Sequence, residues 1–266
     1  MINKRLTQVL GLPVLVWALA ACKAPRQGGY SNWQTLFNGK NLDGWVVKIN
    51  HHDLGDNYAN TFRAEGGKIV VGYEGYGAFN NQFGHLYYQR PFSHFHLKFE
   101  YNIVGEWKAD APSYTQRNSG VMFHSQDPAT ILKDQDWPIS VEFQLLAALN
   151  DGKPRPTGNM CSPGTDVEYQ GKIDDRHCIP SSSKTYPAGE WVKGELMVYG
   201  DSLVKHIING DTVLQYRKPQ IGGGVVNNYD PAQKTDGKLL SSGYIGLQSE
   251  GQPVEFRNIK IRELKP

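Results

Sequence analysis

Alternation is the pattern that most constrains this chain. In residues 95–101 (FHLKFEY), Phe95, Leu97, Phe99 and Tyr101 fall on one side of an extended backbone, and His96, Lys98 and Glu100 fall on the other. Side chains of a strand point alternately to opposite faces, so this run reads as a strand with one buried face. Residues 139–146 alternate in the same way. Ile139, Val141, Phe143 and Leu145 share one face, while Ser140, Glu142, Gln144 and Leu146 share the other. Shorter strand-like runs lie at 45–49, 68–71, 85–89 and 119–124. Residues 191–199, 203–208 and 212–216 form a close group, with Asn209-Gly210 as its hairpin signal because both residues tolerate positive φ. The last runs are 243–248 and 254–264, and the odd spacing of Phe256 and Ile259 in the second predicts a bulge.

No segment shows the periodicity of a long helix, and only 129–133 reads as a single helical turn. The 266 residues include 29 glycines and 15 prolines, which turns need and helices tolerate poorly. The chain is therefore expected to be all-β, an antiparallel sandwich or jelly roll whose one pair of layers takes residues 33–266. Three stretches without periodicity, 50–60, 148–190 and 217–242, are long enough to be functional loops rimming one sheet face.

The first 21 residues combine Lys4 and Arg5 with an apolar run ending in small residues, which is the pattern of a signal peptide. Leu19-Ala20-Ala21-Cys22 resembles a bacterial lipobox, implying cleavage before Cys22 and lipidation of its sulfur. Residues 22–32 read as a lipid-anchored linker. The expected location is the bacterial cell envelope, facing the periplasm or on the outer membrane, with membrane contact through the lipid anchor only. In an exported chain the remaining pair, Cys161 and Cys178, is expected to form a disulfide, worth ~3 kcal/mol by loop closure. The 28 basic and 26 acidic side chains leave a formal charge of +2, which gives no reason to expect a nucleic-acid partner.

Six motifs in order carry a family resemblance. They are residues 36–45 (LFNGKNLDGW), 117–123 (RNSGVMF), 142–145 (EFQL), 187–191 (PAGEW) followed by the Asn209-Gly210 hairpin, 246–248 (GLQ) and 254–259 (VEFRNI). Together they resemble the 3-keto-disaccharide hydrolase domain, also described as 3-keto-glucoside 1,2-lyase and 3-keto-2-hydroxy-glucal hydratase, over about residues 33–264. The resemblance implies a concanavalin-like jelly roll. Its substrates would be glycosides already oxidised at carbon 3, which implies a separate 3-dehydrogenase that supplies them. The chain departs from the family pattern at His85, at His124 and in the 148–190 region with its cysteines.

A ketone at carbon 3 acidifies the hydrogen on carbon 2. A base removes it, the group on carbon 1 leaves, and water adds back. Such a reaction needs a base, an acid for the leaving oxygen and a holder for the enolate charge. A divalent metal bridging the ketone and a neighbouring hydroxyl would serve the last role. Glu142 and Gln144 are two apart on a strand and share its polar face. Glu142 is expected to act as base or metal ligand, with His124 beside it as ligand or base. Arg117 offers a fork of donors for a sugar hydroxyl or an enolate. Gln144 and Asn118 suit sugar hydroxyls, and Trp137 and Tyr169 suit stacking on sugar rings. His206, in phase with Val204 and Ile208, reads as a core histidine. Two other functions remain open on the residues alone. One is a non-catalytic lipid-anchored carbohydrate-binding module. The other is a β-glucan hydrolase on the same fold, although no Glu-x-Asp-x-x-Glu arrangement is present.

Overall fold

The computed structural model describes residues 31–265, together with Ile2. The expected signal peptide apart from Ile2, Cys22 and nearly all of the expected linker lie outside the described residues. Within them the chain forms seventeen strands and four short 3-10 turns. The strands begin with β1 (Gln34–Thr35), β2 (Trp45–Ile49), β3 (Phe62–Glu65), β4 (Lys68–Val71), β5 (Gly84–Tyr88) and β6 (His94–Ile103). Then follow β7 (Asn118–Ser125), β8 (Val141–Leu146), β9 (Asn159–Cys161), β10 (Thr165–Tyr169), β11 (Lys172–Asp174) and β12 (Cys178–Ile179). The last are β13 (Val192–Tyr199), β14 (Leu203–Ile208), β15 (Asp211–Ile221), β16 (Tyr244–Ser249) and β17 (Val254–Glu263).

The strands build two antiparallel sheets. One runs β11-β10-β15-β14-β13-β6-β17-β4-β3, with β1 also paired to β17. The other runs β12-β9-β8-β7-β16-β5-β2. The all-β sandwich expected from the alternation is what forms. Phe95, Leu97, Phe99 and Tyr101 of β6 turn inward and meet Val121, Phe123, Val141, Phe143 and Leu145 from the facing sheet in one core. Phe99 meets Phe143 edge-on at 5.7 Å. Large aromatics in such offset contacts supply most of the buried area that holds two sheets together.

Local chemistry explains the finer joints. Asn209 (φ 50°) and Gly210 (φ 97°) make the tight β14–β15 hairpin. The β17 ladder slips between Arg257 and Lys260, where Asn258 has φ 55°, so the spacing of Phe256 and Ile259 does mark a bulge. The helical turn expected at 129–133 is the 3-10 turn Pro128–Thr130, capped by the Asp127 side chain, which accepts from Ala129 N. His206 is fully buried, bonded through Nδ1 to Gly158 O (2.9 Å) and through Nε2 to Tyr216 Oη (2.8 Å).

Two of the expected loops contain strands. The region 148–190 carries β9 to β12, each too short to show a period of two. The Cys161–Cys178 disulfide joins two of them at directly paired positions. The region 217–242 begins inside β15, where Lys218 (φ 45°) and Pro219 break the alternation while pairing continues to Ile221.

Candidate active site

The seven-stranded sheet has one face on the core and the other under the long loops. Pairing fixes which side chains share that second face. Glu142 of β8 lies opposite Met122 of β7, which lies opposite Gly246 of β16. Gln144 lies opposite Gly120, and Gln248 lies opposite His85 of β5. Over this face the loops bring Tyr114, Trp137 and Val225, enclosing a cavity of about 300 Å³. Asn118, Glu142, Gln144, Gln248 and Glu250 form its polar lining.

Gly120 makes room for the Glu142 carboxylate. A Cβ at that position would fall 2.8 Å from Glu142 Cγ and 2.9 Å from Cδ, and closer still to Oε1. Glu142 is only 6% exposed, and burial pushes its carboxyl up to about 8. Glu250, just past the end of β16, is 2% exposed. Its carboxyl is pushed well up by burial and then by the Glu142 charge, with Arg155 opposing. Two carboxyls that repel each other in a dry cavity do not both ionise readily. The site therefore favours a positive charge or a proton between them.

Three acceptor oxygens of this cavity lack a hydrogen-bond partner among the described residues: Glu250 Oε1, Gln248 Oε1 and Asn118 Oδ1. A buried polar atom left alone costs about 1–3 kcal/mol, so several in one cavity mark a place built for a ligand. Other donors are held in place. Asn159 Nδ2 donates to Gln144 Oε1 at 2.9 Å, which leaves the Gln144 amide nitrogen to donate into the cavity. Asn118 Nδ2 donates to Tyr114 O at 3.2 Å. His85 is buried with Nε2 unpartnered, lies 6.1 Å edge-on to Trp137, and is pushed down to about 3 by burial.

Of the residues singled out in the sequence, Glu142, Gln144, Asn118 and Trp137 meet in this cavity. His124 does not, and its pairing with Glu142 as metal ligand is corrected. Between Met122 and Ser125, β7 carries one residue more than β16, and His124 sits in the left-handed region at φ 46°. The bulge swings the ring away from the cavity side. It is buried, with Nε2 3.0 Å from Gly200 O in the β13–β14 turn, and burial pushes it down to about 4. Arg117 is corrected too. It has φ 51°, its N–H donates to Gln252 Oε1 at 2.9 Å, and its guanidinium donates to Ala148 O. It ties loops together and does not line the cavity. Tyr169 belongs to β10 in the other sheet, with Arg176 stacked 6.0 Å from its ring, and is likewise away from the site.

Glu250, Arg155 and Tyr114 escape the sequence reading. Gln248-x-Glu250 mirrors the two-residue spacing of Glu142-x-Gln144, and that period was the signal that could have found Glu250. Arg155 is locked by donating to Ala147 O (2.8 Å), Gln116 O (2.9 Å) and Arg117 O (3.1 Å), contacts between segments far apart in the chain. Four hollows are larger, and two of them, about 530 and 740 Å³, lie well away from this site. Their charges are matched in pairs such as Arg63–Glu74, Lys68–Glu255 and Lys98–Glu195. Among the described residues neither holds an unsatisfied carboxylate, so size does not mark the chemistry here.

Three similarities bear on this arrangement. A curated protein of Bacteroides thetaiotaomicron named 3-keto-disaccharide hydrolase is 27% identical over 260 residues, covering 86% of this chain and 78% of that protein. A crystal structure from Parabacteroides distasonis, of a protein proposed to be a glycosyl hydrolase, is 22% identical with a TM-score of 0.52. It covers 88% of this chain and 94% of the other. A Bacillus subtilis protein of unknown function with a galectin-like fold is 10% identical with a TM-score of 0.50, covering 89% and 97%. The last two speak to the jelly-roll fold alone. Residues 32–262 match the 3-keto-alpha-glucoside-1,2-lyase-like domain, and the chain belongs to that family.

Proposed function

We propose that the chain cleaves glycosides carrying a ketone at carbon 3, by elimination across carbons 1 and 2 followed by addition of water. The observation that carries this reading is Glu142: a buried carboxylate over Gly120, pushed up toward neutrality, in a cavity of single-sugar scale. The name of the Bacteroides relative supports the substrate class. Glu142 takes the proton from carbon 2, for which a raised carboxyl is a better base. The carbon 1 to oxygen bond breaks as the enone forms. The departing oxygen takes its proton from the Tyr114 hydroxyl, which lines the cavity. Water then adds to carbon 1 and gives its proton to the Tyr114 oxygen, while Glu142 returns the proton to carbon 2. The Gln144 amide and the Trp137 ring hold the sugar.

The unpartnered oxygens of Glu250, Gln248 and Asn118 form an all-oxygen donor set, which suits a hard divalent cation. Such an ion would polarise the ketone and hold the enolate charge. His124 has no part in it.

Turnover of a 3-keto-glucoside by wild type and Glu142→Gln, with and without chelator, tests the proposal, with the unoxidised glucoside as control. Loss of about 10²–10⁴ in rate on the keto substrate alone is expected. Undiminished turnover by Glu142→Gln overturns it. A second reading draws on the Glu142–Glu250 pair, since two carboxyls in one cavity also serve ordinary glycoside hydrolysis. Release from the unoxidised sugar at a comparable rate would favour it. We further propose that a Cys22 lipid anchor holds the enzyme at the cell envelope, where a 3-dehydrogenase supplies its substrate. Cys22→Ala releasing the protein from membranes is the expected outcome, and unchanged membrane association refutes it.

A further inference from the structure

The cavity wall contains a second chemical centre, formed around the disulfide. Cys161 of β9 pairs with Glu142 on one side and with Cys178 of β12 on the other. His177 precedes Cys178, and both line the cavity. One ligand atom from each of Cys161, His177 and Cys178 lies within 4.8 Å of the others. In the oxidised chain the two sulfurs are bonded to each other and neither is free to bind a metal.

We propose that reduction of this disulfide opens a site for a thiophilic divalent ion of the zinc class, held by Cys161, Cys178 and His177. Tetrahedral zinc with Zn–S bonds of ~2.3 Å sets its two sulfurs ~3.7 Å apart, so cleavage requires only a small separation of paired neighbours. Two thiolates and an imidazole select zinc over the hard ions that the oxygen cluster around Glu250 suits. Three protein ligands leave a fourth position for water or another ligand, and His177 and Cys178 would hold the ion at the cavity wall. A phosphine performs the reduction in vitro. Two electrons from phosphorus cleave the sulfur–sulfur bond, water supplies the oxygen of the phosphine oxide and the two thiol protons, and zinc displaces those protons on binding.

The test uses the full chain, oxidised and phosphine-reduced, with zinc affinity read by competition against a chromophoric chelator. Cobalt(II) substitution gives a second readout through sulfur-to-metal charge-transfer absorption. The reduced chain should take up one equivalent that the oxidised chain does not. His177→Ala, which leaves the disulfide intact, should weaken that uptake about tenfold or more, and Cys178→Ser should abolish it. Cys22 is common to all variants, so differences between them do not come from it. Equal uptake by oxidised and reduced chains, or uptake and a cobalt band unaffected by His177→Ala, overturns the proposal.

Discussion

Gly120→Ala should separate activity from stability more cleanly than any direct change to the carboxylates. Gly120 has an ordinary strand backbone, so alanine is not strained by its φ. The added methyl, however, occupies the space of the Glu142 side chain, 2.8 Å from Cγ and 2.9 Å from Cδ. Ordinary contact requires the carboxylate to retreat by about 1 Å. The retreat forces Glu142 off its rotamer at about 0.5–1.5 kcal/mol, which the lower chain entropy of alanine offsets by about 0.4–1 kcal/mol. Net stability should therefore change by less than about 1 kcal/mol. A displacement of 1 Å at a reacting group costs on the order of 10²-fold in rate. The assay is kcat/KM on a 3-keto-glucoside beside a urea melt, for Gly120→Ala, Glu142→Gln and the double variant. The double variant should be no slower than Glu142→Gln alone, because both act through one carboxylate. Gly120→Ala activity within threefold of wild type, or a double variant with fully additive losses, would refute this account of Glu142.

Acid should destabilise the fold through its buried histidines. His124 and His206 are pushed down to about 4 and about 3 by burial, below the ordinary 6.5, so the unfolded chain takes up protons first. Each, and His85 with them, costs up to about 1.4 kcal/mol per pH unit as pH drops below 6.5. Glu142 and Glu250, raised by burial, protonate first in the folded chain and offset two of the three. A net fall of about 1.4 kcal/mol per unit remains, and urea midpoints between pH 6.5 and 4.5 check this. A flat profile over that range refutes it. Trp137→Ala should raise KM about tenfold with little change in kcat, while Trp137→Phe keeps most of the affinity. An unchanged KM would remove the ring from the sugar contact. Opening the Cys161–Cys178 link by a double alanine substitution should lower stability by about 2–4 kcal/mol in urea, and an unchanged midpoint would show that the short strands β9 and β12 hold without it.

The alternation in β6 and β8 was enough to identify the sandwich, because a strand with one buried face repeats its chemistry every second residue. The same period placed Glu142 and Gln144 together on the face away from the core. The Asn209-Gly210 hairpin and the β17 bulge were also legible, since each depends on a few adjacent residues. The four short strands of 148–190 were not, because two to five residues carry too little pattern and their pairing partners are distant.

His124 shows where a period of two fails. Counted along β7 it belongs beside Glu142, but a single extra residue against β16 turns it to the other side. A bulge is set by how two strands match, which neither strand encodes alone. Glu250 shows the converse. Its spacing from Gln248 was visible, yet its role depends on meeting the Glu142 charge in a cavity closed by loops from three parts of the chain.

The sequence by itself determined the class of fold, the buried and polar faces of its main strands, the family, and one of the two carboxylates. Only the tertiary structure decided which residues meet. It joined Glu142 to Glu250, withdrew His124, Arg117 and Tyr169, and set the disulfide into the cavity wall. The reason is physical. Local periodicity specifies the direction of a side chain relative to its own strand, whereas a site is built from register, bulges and loop closure between strands that the chain order keeps apart.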